Sequence, residues 1–161
     1  MLIASSTALG YATSRKLSLR VRFLQQYLQF ISYINTEIRC TQRVLSEIIN
    51  NYTNTKTEIS GFLGQVKENL KLAESFTKAW QEAAETSANA YGLLKPEKEL
   101  LSKFGMELGT TDVRGQTSLC ELNQRLIEAA LEAAKEEKEK KSKLYLMLGS
   151  SVGISIAIIL L

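Results

Sequence analysis

Apolar residues recur at intervals of three or four between Leu17 and Ile38, and this stripe narrows the choice of fold class more than any other part of the sequence. A helix turns once every ~3.6 residues, so this spacing places the side chains on one face, whereas a half-buried strand would alternate them. Additional aromatic and aliphatic residues widen the stripe to a breadth that faces a hydrophobic core. The pattern predicts a long amphipathic first helix; its apolar residues are Leu17, Val21, Leu24, Leu28, Ile31 and Ile38, flanked by Phe23, Tyr27, Phe30 and Ile34.

The same periodicity continues through the middle of the chain, interrupted by short polar or glycine-containing breaks, and nowhere gives way to a strand pattern. Gly92 suits the end of one helix, and Pro96 suits the first turn of the next because its missing N–H is not needed there. We therefore predict an all-α fold of six helices. Helices two to four fall near residues 44–49, 57–70 and 74–91, the fifth starts at Pro96, and the sixth begins near Thr111 or Asp112.

Leucine and alanine follow a regular spacing along the predicted sixth helix and indicate a coiled-coil-like seam. Further along, glutamates precede lysines by four residues, the order that stabilises an exposed helix. These pairs predict a solvated stalk that ends the helical bundle near residue 143. The seam consists of Leu119, Leu122, Leu126, Ala129 and Ala133, and the pairs are Glu136 with Lys140, Glu137 with Lys141 and Glu139 with Lys143.

The composition excludes several classes of function. The chain has no histidine, which removes the commonest metal ligand and the usual neutral-pH general base. Cys40 and Cys120 are too few for a four-thiolate metal site and are interpreted as reduced packing residues. The basic residues do not form a patch interleaved with aromatic residues, as a nucleic-acid binder requires. We expect no catalysis, no cofactor or metal, no small-molecule substrate and no nucleic-acid partner.

The positive charge lies at the two ends of the chain. Residues 1–36 carry four basic residues and no acid, residues 135–143 have a net charge of +2, and the body between them has a net charge of −3. The uncharged residues 144–161 predict a transmembrane helix of about 27 Å, and residues 1–14 a short hydrophobic membrane segment. Because both basic collars face the body, residues 15–143 are expected to be a cytoplasmic bundle and stalk. Small residues at Gly149, Gly153 and Ala157 have the spacing that packs membrane helices closely.

The most specific local string is KFGMELGTTDVRGQ, residues 103–116, between the predicted helices five and six. Gly109 suits the left-handed residue that closes a helix, and Thr110 or Thr111 can cap the next helix through its hydroxyl. Asp112 lies near the positive end of that helix. A phosphate-binding loop would follow a strand and carry a basic residue, so these residues predict a helix-turn-helix corner instead.

The corner string, TKAW in helix four, INTEI near the end of helix one, the Glu/Lys stalk and the terminal YLMLG…IAIILL together resemble the stage III sporulation protein AB family of endospore-forming bacteria. The family pattern has an FGxxLG corner followed by an acid and a glutamine. Two departures are the residues after TEI, where tyrosine and proline are common and Cys40 and Val44 stand here, and a shorter N-terminal anchor. The matching corner residues are Phe104, Gly105, Leu108, Gly109, Asp112 and Gln116.

The resemblance implies more than the spacing shows. It implies a compact six-helix bundle similar to the cytoplasmic domain of the type II secretion platform protein. It also implies a place in the channel complex between mother cell and forespore, with the domain on the mother-cell side of the forespore outer membrane. The implied partners are membrane lipids and other channel subunits, including the AA ATPase of the same operon.

The function expected from these observations is mechanical: a bundle that meets partner proteins and passes their motion or position to the membrane. Glu37, Glu107 and Asp112 are hypothesised to be exposed acids for basic partner groups, although Glu37 could instead pair with a nearby arginine. Trp80, with Gly105, Gly109 and Gln116 of the corner, is expected to fix the bundle. The alternative is a tail-anchored helical tether or scaffold unrelated to sporulation, which would not need the corner.

Overall fold

The computed structural model describes the backbone of residues 2–41, 45–52, 57–72 and 75–159, and the side chains within 14–40, 45–52, 57–72 and 75–144. Its described residues form helices and short turns, so the prediction of six helices is confirmed. The helices are α1 (Leu2–Thr41), α2 (Leu45–Tyr52), α3 (Glu58–Leu70), α4 (Phe76–Tyr91), α5 (Lys95–Glu107) and α6 (Val113–Ile159).

Local chemistry sets most helix ends. Thr57 accepts a hydrogen bond from the Ser60 N–H and forms a capping box at α3, and Ser75 caps α4. Gly92 adopts φ 70° and ends α4, as predicted. The second helix extends past the predicted break at residue 50, because Tyr52 packs its ring against α1, 5.0 Å from Phe30 between centroids.

A cluster of aromatic side chains fills the centre of the bundle. Tyr27 and Phe30 of α1 meet Phe62 of α3, Trp80 of α4 and Phe104 of α5, and all five are fully buried. Phe62 and Trp80 pack edge to face with 4.8 Å between ring centroids, a favourable aromatic geometry. The indole N–H of the tryptophan donates to the Leu101 carbonyl at 2.8 Å, so its one polar atom is satisfied. These contacts join α1, α3, α4 and α5 into one core.

The two ends of the bundle differ in their residues. At one end, which we call the corner end, the α5–α6 turn lies beside the start of α2, where Gly109 approaches Leu45. At the other, which we call the basic end, Arg20 of α1 contacts α5 and α6. Exposed basic side chains surround this second end at Arg15, Lys16, Lys95, Lys140 and Lys143.

The prediction that the last helix continues into a transmembrane helix over residues 144–161 is wrong. Helix α6 does run unbroken to Ile159, but no helix in the described part of the chain is long and apolar enough to cross a membrane. Up to Leu144, α6 carries charged residues on most of its turns, so this part of the helix is long enough but too polar to cross a membrane. The side chains of residues 1–13 and 145–161 lie outside the described residues.

The predicted seam of α6 is also wrong except at Leu119, which packs against the core, because the helix is rotated about its axis. Leu122 and Leu126 are exposed, and the face toward the bundle is the neighbouring one. Gln116 explains the rotation: its side chain is needed inside the corner, and residues at helical spacing from it turn inward with it. The buried positions are Gln116, Cys120, Asn123, Ile127, Leu131 and Ala134. The predicted stalk remains packed on α1 as far as Glu137, which bonds Arg20.

Candidate protein-binding groove at the corner end

The turn from α5 to α6 is built around one glycine. Helix α5 ends at Glu107, Leu108 is extended, and Gly109 follows with φ 83°, a left-handed conformation that glycine adopts without steric cost. The Thr110 hydroxyl donates to the Glu107 carbonyl at 2.7 Å and satisfies one of the free acceptors at the helix end. The chain reverses here within five residues.

The side chain of Gln116 closes this turn from the inside. Its Oε1 accepts from the Gly109 N–H at 2.9 Å, and its Nε2 donates to the Glu107 carbonyl at 3.2 Å and to the Thr111 hydroxyl at 2.9 Å. The glutamine is 5% exposed, so these partners replace water. An amide is suited to the position because it both donates and accepts.

The cap of α6 is Asp112. Its Oδ1 accepts from the Gly115 N–H at 2.9 Å, the bond expected of an N-cap residue. The prediction that Thr110 or Thr111 caps the helix is therefore wrong, because both hydroxyls serve the turn instead. The carboxylate also lies at the positive end of the helix dipole, where a negative charge stabilises the helix.

Beside the turn lies an open groove of about 350 Å³ between α1, α2 and the start of α6. Aliphatic side chains from four elements form most of its lining, and the corner supplies its polar atoms. Val113 remains 48% exposed at the surface of α6 next to it. The lining residues are Ile38, Leu45, Ile48, Leu108, Gly109, Thr111, Val113 and Gln116.

The three acids hypothesised to bind partners lie next to groove residues in the sequence. Glu37 precedes Ile38 in α1 and is half-buried, less exposed than predicted. Glu107 precedes Leu108, and its carboxylate is 3.9 Å from the Lys103 ammonium. Asp112 is exposed and already serves as the helix cap. The last two acids lie on either side of the turn, and α1 ends at the same end of the bundle.

The remaining predicted motif residues lie inside the bundle. Phe104 is fully buried, and Gly105 faces the indole of Trp80, where an added Cβ would be 2.1 Å from Cδ1. These residues fix helix spacing and offer no surface to a partner. The membrane-packing candidates Gly149, Gly153 and Ala157 lie outside the residues whose side chains are described.

A buried ionic cluster at the basic end is absent from the sequence-based predictions. Arg20 is 4% exposed and donates to both carboxylate oxygens of Glu97, at 2.7 to 3.0 Å, and to Glu137 at 2.6 Å. Burial alone would lower the pKa of the guanidinium, but the hydrogen bonds to the two carboxylates raise it above its usual value. One signal was available: Arg20 falls at helical spacing between Leu17 and Leu24 on the apolar stripe.

In the part of the chain that the structure describes, no group of histidine, cysteine or acidic side chains could hold a metal ion. Burial raises the pKa of the Cys120 thiol to about 11, which keeps it protonated and unreactive at neutral pH. Burial likewise raises the pKa of Tyr27.

Fold and groove together define a helical-bundle interaction protein. The chain belongs to the stage III sporulation protein AB family, because the sequence model of that family matches residues 1–161. A solved structure of a stage III sporulation protein AB is similar in fold, with a TM-score of 0.65 and 22% identity over 76% of this chain and 98% of that chain. No curated protein matches the chain in sequence. The family is one of structural sporulation components, and the chain therefore has a role in sporulation.

Proposed function

We propose that this protein is an assembly component of the channel complex between mother cell and forespore, and that it binds a partner subunit through the corner groove. The observation that carries the proposal is the groove itself: an open apolar depression that a rigid turn holds in shape. Membership of the stage III sporulation protein AB family supports a place in a sporulation complex. The AA ATPase and other channel subunits are the proposed partners, and the proposed place is the mother-cell side of the forespore outer membrane.

The groove fits the apolar face of a partner helix better than a small molecule. Its volume, about 350 Å³, is at the low end of the ~300–1,000 Å³ of ligand pockets, and it is open along the surface. Amphipathic helices commonly bind such grooves by inserting a few apolar anchors. Glu107 and Asp112 lie beside the lining residues, so basic groups flanking the anchors would be steered toward them.

Coupling follows from the rigidity of the corner. A partner held on the groove contacts α1, α2 and α6 together, because all three contribute lining residues. Force applied there passes along α1 and α6, which pack against each other toward the basic end. Basic side chains at that end would meet anionic lipid head groups. The protein would thus transmit the position or motion of an ATPase to the membrane complex without performing chemistry.

The test is site-specific crosslinking during sporulation from residue 113, paired with a polar substitution in the groove. Val113→Glu is expected to reduce both capture of a channel subunit and sporulation, since the valine is exposed and its loss leaves the core intact. Leu72→Glu is the matched control, because Leu72 is 91% exposed in the α3–α4 connection and does not line the groove. Normal capture by a folded Val113→Glu variant would refute the proposal.

The two corner acids require a separate design because one of them caps a helix. Glu107→Lys with Asp112→Lys is expected to weaken association with a partner. Asp112→Asn removes the charge while leaving an oxygen that can cap α6, so it separates steering from helix stability. If Asp112→Asn and Glu107→Gln together bind as the unmodified chain does, the acids have no part in recognition.

A further inference from the structure

The connection between α4 and α5 reaches the basic end of the bundle and exposes a leucine there. Gly92 lies against α1, where an added Cβ would be 3.7 Å from the Cβ of Lys16. Two residues later Leu94 is 49% exposed, whereas Leu93 before it packs against the core. Helix α5 begins at Lys95 and runs from here to the corner end. Leu94 is therefore part of the surface that closes the basic end.

Leu94 stands at a position where helices favour a polar residue. It is the N-cap of α5, and serine, threonine, asparagine or aspartate is preferred there because its side chain can accept a hydrogen bond from the helix. The leucine makes no such bond, and the Glu97 carboxylate instead accepts from the Leu94 N–H at 2.8 Å. One exposed leucine on a surface is ordinary. An exposed leucine that departs from the local preference of its position points to a function there.

Basic residues dominate the segments that reach this end. Beyond the ionic cluster, residues 14–19, 92–96 and 138–144 carry seven basic residues and one acid. The side chain of Lys95, next to the leucine, is 84% exposed, and its contact with Glu99 is as long as 4.0 Å. An apolar side chain among cations is the combination that holds proteins at an anionic bilayer, because the first enters the lipid and the others attract the head groups.

We propose that Leu94 inserts into the boundary between head groups and acyl chains of an anionic bilayer, while the lysines around it bind lipid phosphates. The inference rests on the proposed function, which turns the basic end to the membrane, and it names the residue that enters the lipid. Arg20 positions the connection for this contact, because it holds both oxygens of the Glu97 carboxylate that accepts from the Leu94 N–H.

A contact at the α4–α5 connection has a mechanical consequence. Helices α1 and α6 pack against each other and reach the basic end side by side. A bundle held at these two helices alone can tilt about the line that joins them. Leu94 adds a third point outside that line, since it begins α5, and so restrains the tilt. A bundle that cannot tilt transmits the position of a partner on the groove to the membrane with less loss.

A fluorescent probe in the full chain measures the contact directly. In a Cys40→Ser background, Leu94→Cys carries an environment-sensitive dye, and Cys120 is buried and remains unlabelled. The protein is reconstituted into nanodiscs of equal parts phosphatidylcholine and phosphatidylglycerol. The dye emission is expected to shift to the blue and to be quenched by lipids that carry a nitroxide near the head group.

Leu72→Cys is the matched control for the dye. Leu72 is 91% exposed and precedes α4, the helix that ends at the basic end, so it lies at the opposite end of the bundle. Its dye should remain in water. A dye at residue 94 that also remains in water would overturn the proposal, and so would equal quenching in nanodiscs of phosphatidylcholine alone.

A serine at the N-cap separates lipid contact from stability. With the dye on Lys95→Cys, Leu94→Ser is expected to lower the ratio of inserted to free connections about tenfold, measured from the two fluorescence lifetimes, because the lipid no longer buries a leucine. The melting temperature should stay the same or rise, since serine can cap α5. A clear fall in melting temperature would show that the leucine supports the fold, and would contradict the proposal.

Crosslinking during sporulation distinguishes this inference from the proposed function. A photoreactive residue at position 94 is expected to yield lipid adducts, while one at position 113 captures a channel subunit. Capture of a protein from position 94 in place of lipid would refute the lipid contact and leave the groove unaffected. Loss of capture from position 113 with lipid adducts retained at position 94 would refute the groove and support the lipid contact.

Discussion

The two ends of the bundle are stabilised by different hydrogen-bonding groups, and the bonded residues are separated by different distances along the chain. At the corner end a neutral amide, Gln116, bonds groups no more than nine residues away. At the basic end Arg20 binds Glu97 and Glu137, which are 77 and 117 residues away. The corner is thus a local structure that its own sequence can specify. The ionic cluster exists only after α1, α5 and α6 have assembled, and it depends on charges that must be paired once buried.

The largest expected effect comes from breaking the ionic cluster. Arg20→Met should lower the free energy of unfolding by about 3–5 kcal/mol, because Glu97 would keep a buried charge without its main partner. Chemical denaturation measures the change. Arg22→Met is the matched control: that arginine lies two residues away, is more than half exposed, and pairs with Glu58 at 2.9 Å. Arg22→Met should lower the free energy of unfolding by less than about 1 kcal/mol.

A double substitution separates the cost of an unpaired charge from the worth of the pair. Arg20→Met with Glu97→Met should be more stable than Arg20→Met alone, since removing both charges leaves no buried ion between α1 and α5. If the double variant is less stable than the unmodified chain, the pair contributes net stability, together with the hydrogen bond that Glu97 accepts from the Leu94 N–H at 2.8 Å, and the two ends differ in strength as well as in distance.

The next largest effect is expected at Gly105. An alanine Cβ there would lie 2.1 Å from Cδ1 of Trp80, and the indole cannot move freely because it bonds the Leu101 carbonyl. Gly105→Ala should therefore lower the free energy of unfolding by about 1–3 kcal/mol, because the added methyl group overpacks the core. Gly64→Ala is the control, since nothing lies within 4 Å of its added Cβ. In mid-helix that change should stabilise by roughly 0.5–1 kcal/mol.

The comparison explains what the sequence could and could not predict. The corner could be predicted because its determinants are close together in the sequence: Gly109 allows the left-handed turn, Asp112 lies at the helix start, and Gln116 is within reach of both. The first helix could be predicted equally well, since an apolar stripe of more than twenty residues fits the helical period and not the strand period. The identity of the α6 cap could not be predicted, because three neighbouring residues could each cap the helix and the turn uses the hydroxyls of two of them.

The errors arose where tertiary contacts choose among equivalent local patterns. Helix α6 has two candidate faces, and the more hydrophobic one, with Leu122 and Leu126, is exposed. The face with Gln116 and Asn123 is buried instead, because the corner requires the glutamine inside. Arg20 was missed for a related reason: an arginine on an apolar stripe signals burial only if partners arrive from distant helices, and single-sequence periodicity does not show them.

A moderate effect is expected at the corner itself. Gln116→Leu should cost about 1–3 kcal/mol, because the Gly109 N–H and the Glu107 carbonyl would lose a buried partner without access to water. Hydrogen exchange at the Gly109 amide should accelerate by more than the global loss of stability predicts. Gln65→Leu, on the exposed face of α3, is the control and should lie within ~0.5 kcal/mol of the unmodified chain.

The smallest effect concerns acid and the outer carboxylate of the ionic cluster. Hydrogen bonds from Lys141 and Arg20 lower the pKa of Glu137 below its usual 4.5. A depressed folded-state pKa contributes stability above the unfolded value and loses it as pH falls through the folded value. Glu137→Gln should therefore be slightly less stable than the unmodified chain at neutral pH, and the difference should vanish as the pH falls below about 5 and through the lowered pKa of Glu137.

Solvent limits the size of this last effect. The Glu137 side chain is 34% exposed, so screening should hold the difference at neutral pH to less than about 1 kcal/mol. Melting temperatures across the acid range measure it, with Glu136→Gln as a control whose carboxylate pairs with the exposed Lys140 at 3.4 Å. A pH-independent difference between Glu137→Gln and the unmodified chain would show that the carboxylate holds α6 to α1 through packing, and that the charge pairing of the ionic cluster resides in Arg20 and Glu97, which join α1 to α5.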